Sequence, residues 1–346
     1  MSLLQSAPAL TAADAARLAH ESYGVCGTAQ PLPSERDQNF LIESGSSRFV
    51  LKVANRTEQR AFLEAQNAAL SHLESRVPFC PRVVQSLDGQ RVCEAPSGHF
   101  VRLVTWLPGV PLGTLPQHPP DLLADLGRSI GLMDKALADF DHPALHRRFH
   151  WDLAGAIEIV AAKLPEVVDV DLRHLIQDDV ERIAERGTPR LPRLRRSIVH
   201  NDANDYNVLV DAPSTGAARI TGLIDFGDMV HSFTVGDVAV ASAYAVLDKP
   251  APLAALVRIV REYHAQYPLT PDEVGVVFDF LKLRLYLSIA HAIVQQRQRP
   301  DDDYLTISQG AIRRTLPRLW TIDAQAAEAR LHEACDSRSG MNSEEG

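Results

Sequence analysis

One segment past the middle of the chain, SIVHNDANDYNVLVD, constrains the fold more than any other. It spans Ser197–Asp211 and places two aspartates and three asparagines between the apolar residues Ile198-Val199 and Val208-Leu209-Val210, with a third aspartate, Asp211, directly after them. The apolar flanks are typical of buried strands, and Asn and Asp favour the turns between strands. A turn alone does not explain why so many carboxylate and amide oxygens are concentrated between two strands.

A second segment, GLIDFGD, suggests what these oxygens do. Asp225 ends an apolar strand there and is followed by Phe226-Gly227. In the catalytic loop of kinases, an aspartate meets the acceptor hydroxyl, an asparagine five residues later holds a metal, and a downstream Asp-Phe-Gly supplies a second metal ligand. Asp202, Asn207 and Asp225 match this order and spacing. Oxygen ligands suit Mg²⁺, so the two motifs together predict phosphoryl transfer rather than an Asx-rich turn.

The third expected component is a lysine on a strand near the N-terminus. FVLKVAN supplies Lys52, the only lysine in the first 130 residues, in an alternating apolar strand. The next helix offers Glu58 and Glu64 as partners, and Glu64 is favoured because an acid in the first turn is explained by the helix dipole alone. No Gly-rich phosphate loop precedes these strands. Backbone amides near residues 34–38, or the side chain of Arg36, are predicted to contact the phosphates instead.

The motifs together resemble those of the aminoglycoside phosphotransferase and choline kinase-like superfamily, and most closely its hydroxylysine kinase group. SERDQNF, FVLKVAN, LEAQNAAL, FHWDLAG, IVHNDANDYNVLV and IDFGDMVHSFTVGDVAVASAYA follow the order of that group, over roughly residues 34–290. The resemblance implies an α+β, two-lobed protein-kinase-like fold. A small N-terminal lobe with a mixed or antiparallel sheet (1–106) would precede a larger, mainly helical C-terminal lobe (107–335) and a disordered tail (336–346).

The resemblance also implies roles for individual residues. Asp202 would be the catalytic base, and Asn207 and Asp225 would hold Mg²⁺. Lys52 with Glu64 would align the phosphates of ATP or GTP, and the segment from Val104 to Leu107 would meet the base of the nucleotide. HND replaces the His-Gly-Asp of antibiotic kinases, which argues against an aminoglycoside acceptor.

Several further charged and aromatic residues are candidates for binding the acceptor. Asp205 and Asp228 each lie three residues beyond a functional aspartate and are predicted to meet an ammonium group. Arg284, charged within the apolar FLKLRLYLSIAH, is predicted to bind an acceptor carboxylate, and Trp151 could form a wall of the site. Asp237 is expected to cap the following helix and to brace the catalytic loop.

These residues predict a small-molecule kinase whose acceptor is an amino alcohol or hydroxy amino acid, with 5-hydroxylysine as the best candidate. Homoserine, choline, ethanolamine and aminoglycosides are alternative acceptors, and a nucleotide-binding pseudoenzyme regulator is the alternative without catalysis. A metal-dependent phosphoesterase is less favoured because it would not need Lys52.

Composition excludes other classes of partner. A net charge of −9 argues against a nucleic-acid partner, because such binding rests on a basic face. No basic, apolar leader and no run of about 18 apolar residues is present, so a cytoplasmic protein without a membrane partner is expected. The four scattered cysteines contain no CxxC pair and predict neither zinc nor disulfides. The sequence does not indicate the oligomeric state.

Overall fold

The computed structural model describes residues 8–34, 37–211, 218–298 and 308–339. They fall into two compact units. Unit 1 comprises residues 1–109 with two short returning segments, 142–145 and 221–224, and unit 2 comprises the remainder within residues 110–346. The division at Gly109 and Val110 lies three residues beyond the predicted lobe boundary, inside the proline-rich and glycine-rich segment LPGVPLGTLPQHPP.

Unit 1 is built on an antiparallel sheet. Its elements, in chain order, are α1 (Ala12–Tyr23), β1 (Thr28–Leu32), β2 (Gln38–Ser44), β3 (Ser47–Val53), α2 (Arg60–Leu73), β4 (Val83–Val84), β5 (Cys93–Glu94) and β6 (Phe100–Thr105). The strand order is β1-β2-β3-β6-β4, and β5 pairs with the end of β6. Alternate residues of the central strands, such as Phe40, Leu51 and Leu103, are buried together with Leu18 of α1. The core of this unit therefore lies between the sheet and α1.

Helix α1 begins and ends at the residues that its sequence predicts. The Thr11 side chain accepts from the Asp14 amide, and the Asp14 carboxylate accepts from the Thr11 amide, which forms a capping box. Gly24 ends the helix with φ of 68°, a left-handed conformation that glycine adopts without strain. Strand β1 was not predicted from the sequence, because Pro31 weakens the strand pattern and pairing with β2 provides the hydrogen bonds.

The remaining elements are mainly helical. In chain order they are β7 (Val110–Pro111), α3 (Pro120–Leu137), α4 (Ala156–Lys163), α5 (Val170–Gly187), β8 (Arg196–Val199), β9 (Val208–Val210), β10 (Ile220–Leu223), β11 (Val230–Phe233), α6 (Val235–Ala245), α7 (Pro252–Gln266), α8 (Pro271–Gln298), α9 (Gln309–Trp320) and α10 (Ala324–Ser339). The sequence predicts a helix from Pro271 to Gln298, and α8 has these bounds, whereas α10 includes residues 336–339 of the segment for which the sequence predicts a disordered tail.

Close backbone contact between α3 and α7 organises the helices of unit 2. Gly127 of α3 lies against the backbone of Ile259, and a Cβ atom added to Gly127 would lie 2.1 Å from the Ile259 carbonyl oxygen. Real Cβ atoms do not approach a backbone oxygen this closely, so any side chain at position 127 would force the two helices apart. Glycine at this position therefore sets the spacing of α3 and α7.

We predict that Gly127→Ala lowers the free energy of unfolding by about 1–3 kcal/mol, because a backbone carbonyl cannot move aside as a side chain can. Urea denaturation followed by circular dichroism measures the change. Gly187→Ala is the matched control: Gly187 is also helical, but nothing lies within 4 Å of an added Cβ there. The free energy of unfolding of Gly187→Ala should stay the same or rise slightly. Equal losses for both variants would contradict the packing role of Gly127.

Candidate active site

The pairing of two short strands brings the predicted motifs together in unit 2. Strands β8 and β11 are antiparallel, with Val199 opposite Val230. The segment that follows β8 and the segment that precedes β11 therefore leave the sheet at the same end. The His200 ring packs edge-on against the Phe226 ring, with their centroids 4.7 Å apart. This contact, together with the strand pairing, joins the 200–207 loop to the turn that starts at Asp225.

A buried carboxylate from α6 holds the start of the loop. Asp237 is fully buried, and its two oxygens accept hydrogen bonds from the backbone amides of His200 (2.8 Å) and Asn201 (2.6 Å). Asn201 has φ of 65°, a left-handed conformation that costs a residue with a side chain about 1 kcal/mol or more. The bracing role predicted for Asp237 is thus observed. It does not cap α6, whose N-cap residue is Thr234.

Hydrogen bonds within the loop fix the side chain of Asp202. Asn207 donates from Nδ2 to one Asp202 carboxylate oxygen (2.7 Å) and to the Asp202 carbonyl (2.9 Å). Asn204 donates to the other carboxylate oxygen at 3.0 Å. The Asn204 side-chain oxygen in turn accepts from the amides of Tyr206 and Asn207. Asn204 and Asn207 of the sequence motif therefore both orient the Asp202 carboxylate.

Arg284 of α8 approaches the same carboxylate and is itself almost fully buried. Its Nη2 donates to Asp202 at 2.6 Å, its Nη1 donates to the Asn201 carbonyl at 3.3 Å, and its Nε donates to the Tyr244 hydroxyl at 3.2 Å. The guanidinium also lies 4.5 Å from the centre of the Trp151 ring, a cation–π contact. The partners that the structure gives Arg284 are therefore groups of the protein. Its predicted role in binding an acceptor carboxylate remains a prediction.

The groups around Asp202 have opposite effects on its pKa. The pKa of Asp202 is raised to about 8, mainly by burial and also by the carboxylate of Asp228, against the lowering effect of the positive charge of Arg284. Arg284 is thus the neighbouring cation that favours the ionised form of Asp202.

Asp225 and Asp228 lie in one turn before β11. Asp225 has φ of 63°, and its Oδ1 lies 3.3 Å from the Gly227 amide that donates to it. Asp228 is nearly buried. The Asn207 side chain turns its nitrogen toward Asp202, so its carbonyl oxygen is the atom that the predicted metal contact would use. Carboxylate and amide oxygens are ligands of Mg²⁺, which completes its coordination with phosphate oxygens and water. Among the described residues, no three acidic, His or Cys side chains form a group that could hold a metal ion by themselves.

Asp205 has an unusual environment beside the motif. One carboxylate oxygen, Oδ1, is buried and accepts no hydrogen bond from any described residue. The other lies where a side chain at Gly113 would be, because a Cβ added to Gly113 would be 2.7 Å from Oδ2. The Gly113 amide also donates to the Asp205 carbonyl at 2.7 Å. Burial raises the pKa of Asp205 to about 6. An anionic oxygen in this position needs a cation or donor, and none of the described residues supplies one to Oδ1.

The predicted nucleotide residues lie in unit 1. Lys52 is on β3, opposite Asn39 of β2 and Arg102 of β6. Glu64 is half exposed and accepts from Arg60 at 2.8 Å. Its predicted pairing with Lys52 therefore remains a prediction.

The other residues predicted to contact the nucleotide are Val104, Leu107 and Arg36. Val104 is buried on β6, and Leu107 is partly buried just beyond that strand. Arg36 lies outside the described residues. Their contacts with the nucleotide remain predictions.

Two residues that contribute to the site were missed by sequence reasoning. Tyr244 lies within the apolar run VAVASAYAVL, where an aromatic residue is no signal of function. Gly113 lies in the connecting segment, and its close contact with Asp205 spans 92 positions in sequence.

Comparison with known proteins decides the family. The model of the phosphotransferase enzyme family APH matches residues 28–274, a span that includes Lys52, Asp202, Asn207 and Asp225. The chain belongs to this family. The predicted superfamily and the predicted phosphotransferase activity are therefore confirmed.

Curated relatives of this APH-family chain cover almost its full length. Hydroxylysine kinase of Danio rerio is 29% identical over 351 residues, covering 96% of this chain and 98% of the relative. The Xenopus laevis hydroxylysine kinase is 28% identical and covers 95% of each chain. Homoserine kinase of Xanthobacter autotrophicus is 26% identical over 59% of this chain and 60% of its own.

Solved structures confirm the two-lobed α+β fold predicted for this APH-family chain. An amicoumacin kinase has a TM-score of 0.66 at 15% identity and covers 89% of this chain and 95% of its own. A microcompartment-associated aminopropanol kinase has a TM-score of 0.59 at 20% identity and covers 92% and 94%, respectively. No helix in the described part of the chain is long and apolar enough to cross a bilayer.

We predict that Arg284→Met lowers kcat roughly tenfold to a hundredfold for every acceptor hydroxyl, because Asp202 loses a charged hydrogen bond. Arg284→Lys should recover part of this loss, since one ammonium cannot reach all three partners. Steady-state kinetics with acceptors that carry and lack a carboxylate gives the comparison.

The matched control for Arg284→Met is Lys282→Met. Lys282 is a buried cation of the same helix, and it pairs with Asp179 at 2.9 Å rather than with the loop. Its loss should reduce stability and leave kcat unchanged. A rise in KM confined to acceptors with a carboxylate, at constant kcat, would instead support the original prediction for Arg284.

Proposed function

We propose that this APH-family chain transfers the γ-phosphoryl group of a nucleoside triphosphate to the hydroxyl of a small amino alcohol or hydroxy amino acid, with 5-hydroxylysine as the first candidate. The observation that carries this proposal is the position of Asp205. Its buried carboxylate oxygen Oδ1, which accepts no hydrogen bond from the described residues, lies in the same loop as Asp202. An acceptor that places a hydroxyl at Asp202 and an ammonium group at Asp205 is an amino alcohol. The full-length hydroxylysine kinase relatives support the same class of acceptor.

The reaction assigns a distinct task to each residue of the loop. The acceptor oxygen attacks the γ-phosphorus, the bond from that phosphorus to the nucleoside diphosphate breaks, and Asp202 takes the proton of the hydroxyl. Asn207 and Asn204 hold the carboxylate that receives this proton. Little covalent help is needed from the protein, so accurate positioning supplies most of the acceleration.

Mg²⁺ is the proposed metal, and Asn207 and Asp225 are its proposed ligands. When bound, it would neutralise charge on the triphosphate. In unit 1, Lys52 is the proposed ligand of the nucleotide phosphates, and Val104 and Leu107 are proposed to contact the base. ATP is the general donor of kinases, and the resemblance to hydroxylysine kinases makes GTP the alternative.

The acceptor ammonium is proposed to bind Asp205, with Asp228 as the second anionic group nearby in the site. A charge-assisted hydrogen bond to a buried carboxylate is about twice as strong as a neutral one. It would remove the unpaired buried group that the protein itself leaves at Asp205. Trp151 is proposed to border the acceptor, with Arg284 stacked on its ring.

A panel of acceptors tests the proposal. Mg²⁺-dependent release of ADP and of GDP is measured with 5-hydroxylysine, homoserine, ethanolamine, choline and an aminoglycoside side by side. Turnover with hydroxylysine well above the others is the expected result. Equal rates with homoserine would shift the acceptor to that amino acid, and nucleotide binding without turnover on any acceptor would favour a regulatory pseudoenzyme.

Two variants verify that the turnover comes from this site. Asp202→Asn should reduce transfer about a hundredfold or more while nucleotide binding stays nearly intact, because a general base contributes about that much. Asp225→Asn should weaken Mg²⁺-nucleotide binding as well. Equal, mild effects of both substitutions would contradict the assigned roles.

We predict that Asp205→Asn raises the KM of ammonium-bearing acceptors roughly tenfold to a hundredfold, because a charged hydrogen bond is lost. The KM of the nucleotide should not change. Gly113→Ala should act in the same direction, since its Cβ would displace the Asp205 carboxylate. Asp272→Asn is the control, because Asp272 pairs with Arg193 on the surface. An unchanged acceptor KM in Asp205→Asn would exclude Asp205 from acceptor binding.

A further inference from the structure

Three helices of unit 2 bring three fully buried polar side chains together behind the catalytic loop. They are Asp134 of α3, Asp237 of α6 and Tyr263 of α7. Asp237 holds the loop through the backbone amides of His200 and Asn201. No role has yet been assigned to Asp134 and Tyr263. A fully buried carboxyl group is costly to retain unless its hydrogen bonds are satisfied.

The glycines of α3 explain how Tyr263 reaches Asp134. Gly127, Gly131 and Asp134 are spaced four and three residues apart, so they lie on one face of the helix. A Cβ added to Gly131 would lie 2.8 Å from the Tyr263 carbonyl oxygen. Because α3 and α7 approach so closely, the Tyr263 hydroxyl donates to Asp134 Oδ2 at 2.6 Å. The close packing of the two helices thus builds one half of the cluster.

The other carboxyl oxygen of Asp134 indicates how Asp237 joins the cluster. Oδ1 is buried and accepts no hydrogen bond from the described residues. The carboxyl group of Asp237 neighbours it, and burial together with the charge of Asp237 raises the pKa of Asp134 well above its ordinary range. The positive charge of Arg195, which is paired with Glu273, opposes this rise without reversing it. Two adjacent buried carboxyl groups share a proton more easily than they both ionise. A protonated Asp134 carries an O–H group that can donate a hydrogen bond to the carboxylate of Asp237.

We propose that Asp134 is a positioning residue for the catalytic loop, a neutral acid that accepts from Tyr263 and donates to Asp237. This inference rests on the kinase activity proposed above. The chain of contacts runs from Tyr263 through Asp134 to Asp237, and from Asp237 to the backbone amides that precede Asp202. Restricting the rotation of Asp237 keeps both of its oxygens directed at those amides. The direction of the Asp202 carboxylate then follows from the left-handed backbone at Asn201.

Two substitutions of Asp134 separate this role from simple packing. Asp134→Asn keeps an acceptor for Tyr263 and a donor for Asp237, so kcat should stay within about threefold of the wild type. Asp134→Leu has a similar volume and no donor, so kcat should fall about tenfold, the effect of one lost hydrogen bond. The KM values for nucleotide and acceptor should change little, because neither ligand contacts Asp134.

The chain offers a matched control for the tyrosine. Tyr286 is also fully buried in unit 2 and donates to a carboxylate, Asp179 Oδ2, at the same distance of 2.6 Å. Asp179 pairs with Lys282 and not with the loop. Tyr263→Phe and Tyr286→Phe therefore each remove a hydrogen bond from a tyrosine to a carboxylate, and Tyr286→Phe also removes the acceptor of the Trp320 indole N–H. Both should lower the melting temperature, but only Tyr263→Phe should lower kcat, by about threefold to tenfold.

An exchange measurement decides the question independently of activity. Hydrogen–deuterium exchange of the peptide that contains His200 and Asn201 should speed up in Asp134→Leu and Tyr263→Phe, and stay at the wild-type rate in Asp134→Asn and Tyr286→Phe. If the wild type turns over no acceptor, the proposed function fails, and exchange alone still tests the positioning role. If Asp134→Leu does not fold, the tyrosine pair carries the test.

Three results would overturn the inference. They are normal kcat and exchange in Asp134→Leu, equal losses in Asp134→Asn and Asp134→Leu, or equal effects of Tyr263→Phe and Tyr286→Phe on kcat and exchange.

Discussion

The candidate site depends on one interaction, the acceptance of two backbone amide hydrogen bonds by the buried carboxylate of Asp237. These bonds offset the strain of a left-handed residue at Asn201, and the strained backbone directs Asp202 away from the strand that precedes it. From the opposite side, Arg284 donates both to the Asn201 carbonyl and to the Asp202 carboxylate. Two helices therefore hold the loop. Helix α6 binds two backbone amides of the loop through Asp237, and helix α8 binds the Asn201 carbonyl and the Asp202 carboxylate through Arg284. Neither contact involves the side chains of Asn204 and Asn207, which act within the loop.

Local signals made much of the fold predictable. The capping box and terminal glycine of α1 are encoded within a few residues, and the structure reproduces both ends of that helix. The sequence likewise predicts a helix from Pro271 to Gln298, because apolar residues recur throughout this segment between a few charged ones, and α8 has these bounds. Strand β1 was not predictable in this way. Pro31 lies in the middle of it, and the strand exists because β2 offers a partner in the correct register. Interactions that form between distant segments leave little trace in either segment alone.

The same distinction applies to the candidate site. The order and spacing of Asp202, Asn207 and Asp225 predicted residues that the structure joins through one pair of strands. The charge of Arg284 in an apolar helix indicated that it must have a partner, but its partner lies 82 positions away and could not be read from the sequence. For Glu64, the sequence could not distinguish a helix face toward the sheet from the exposed face on which Arg60 binds it.

The contact between Gly113 and Asp205 has a consequence for how acceptor preference diverges among related chains. Position 113 lies between β7 and α3, outside every motif quoted above for the resemblance to the family. Because the missing side chain there leaves room for the Asp205 carboxylate, a larger residue would redirect that carboxylate while the HND and DFG motifs stayed intact. If Asp205 binds the acceptor ammonium as proposed, two chains with identical motifs would then select different acceptors. Classification of such chains by substrate should therefore compare position 113 together with position 205.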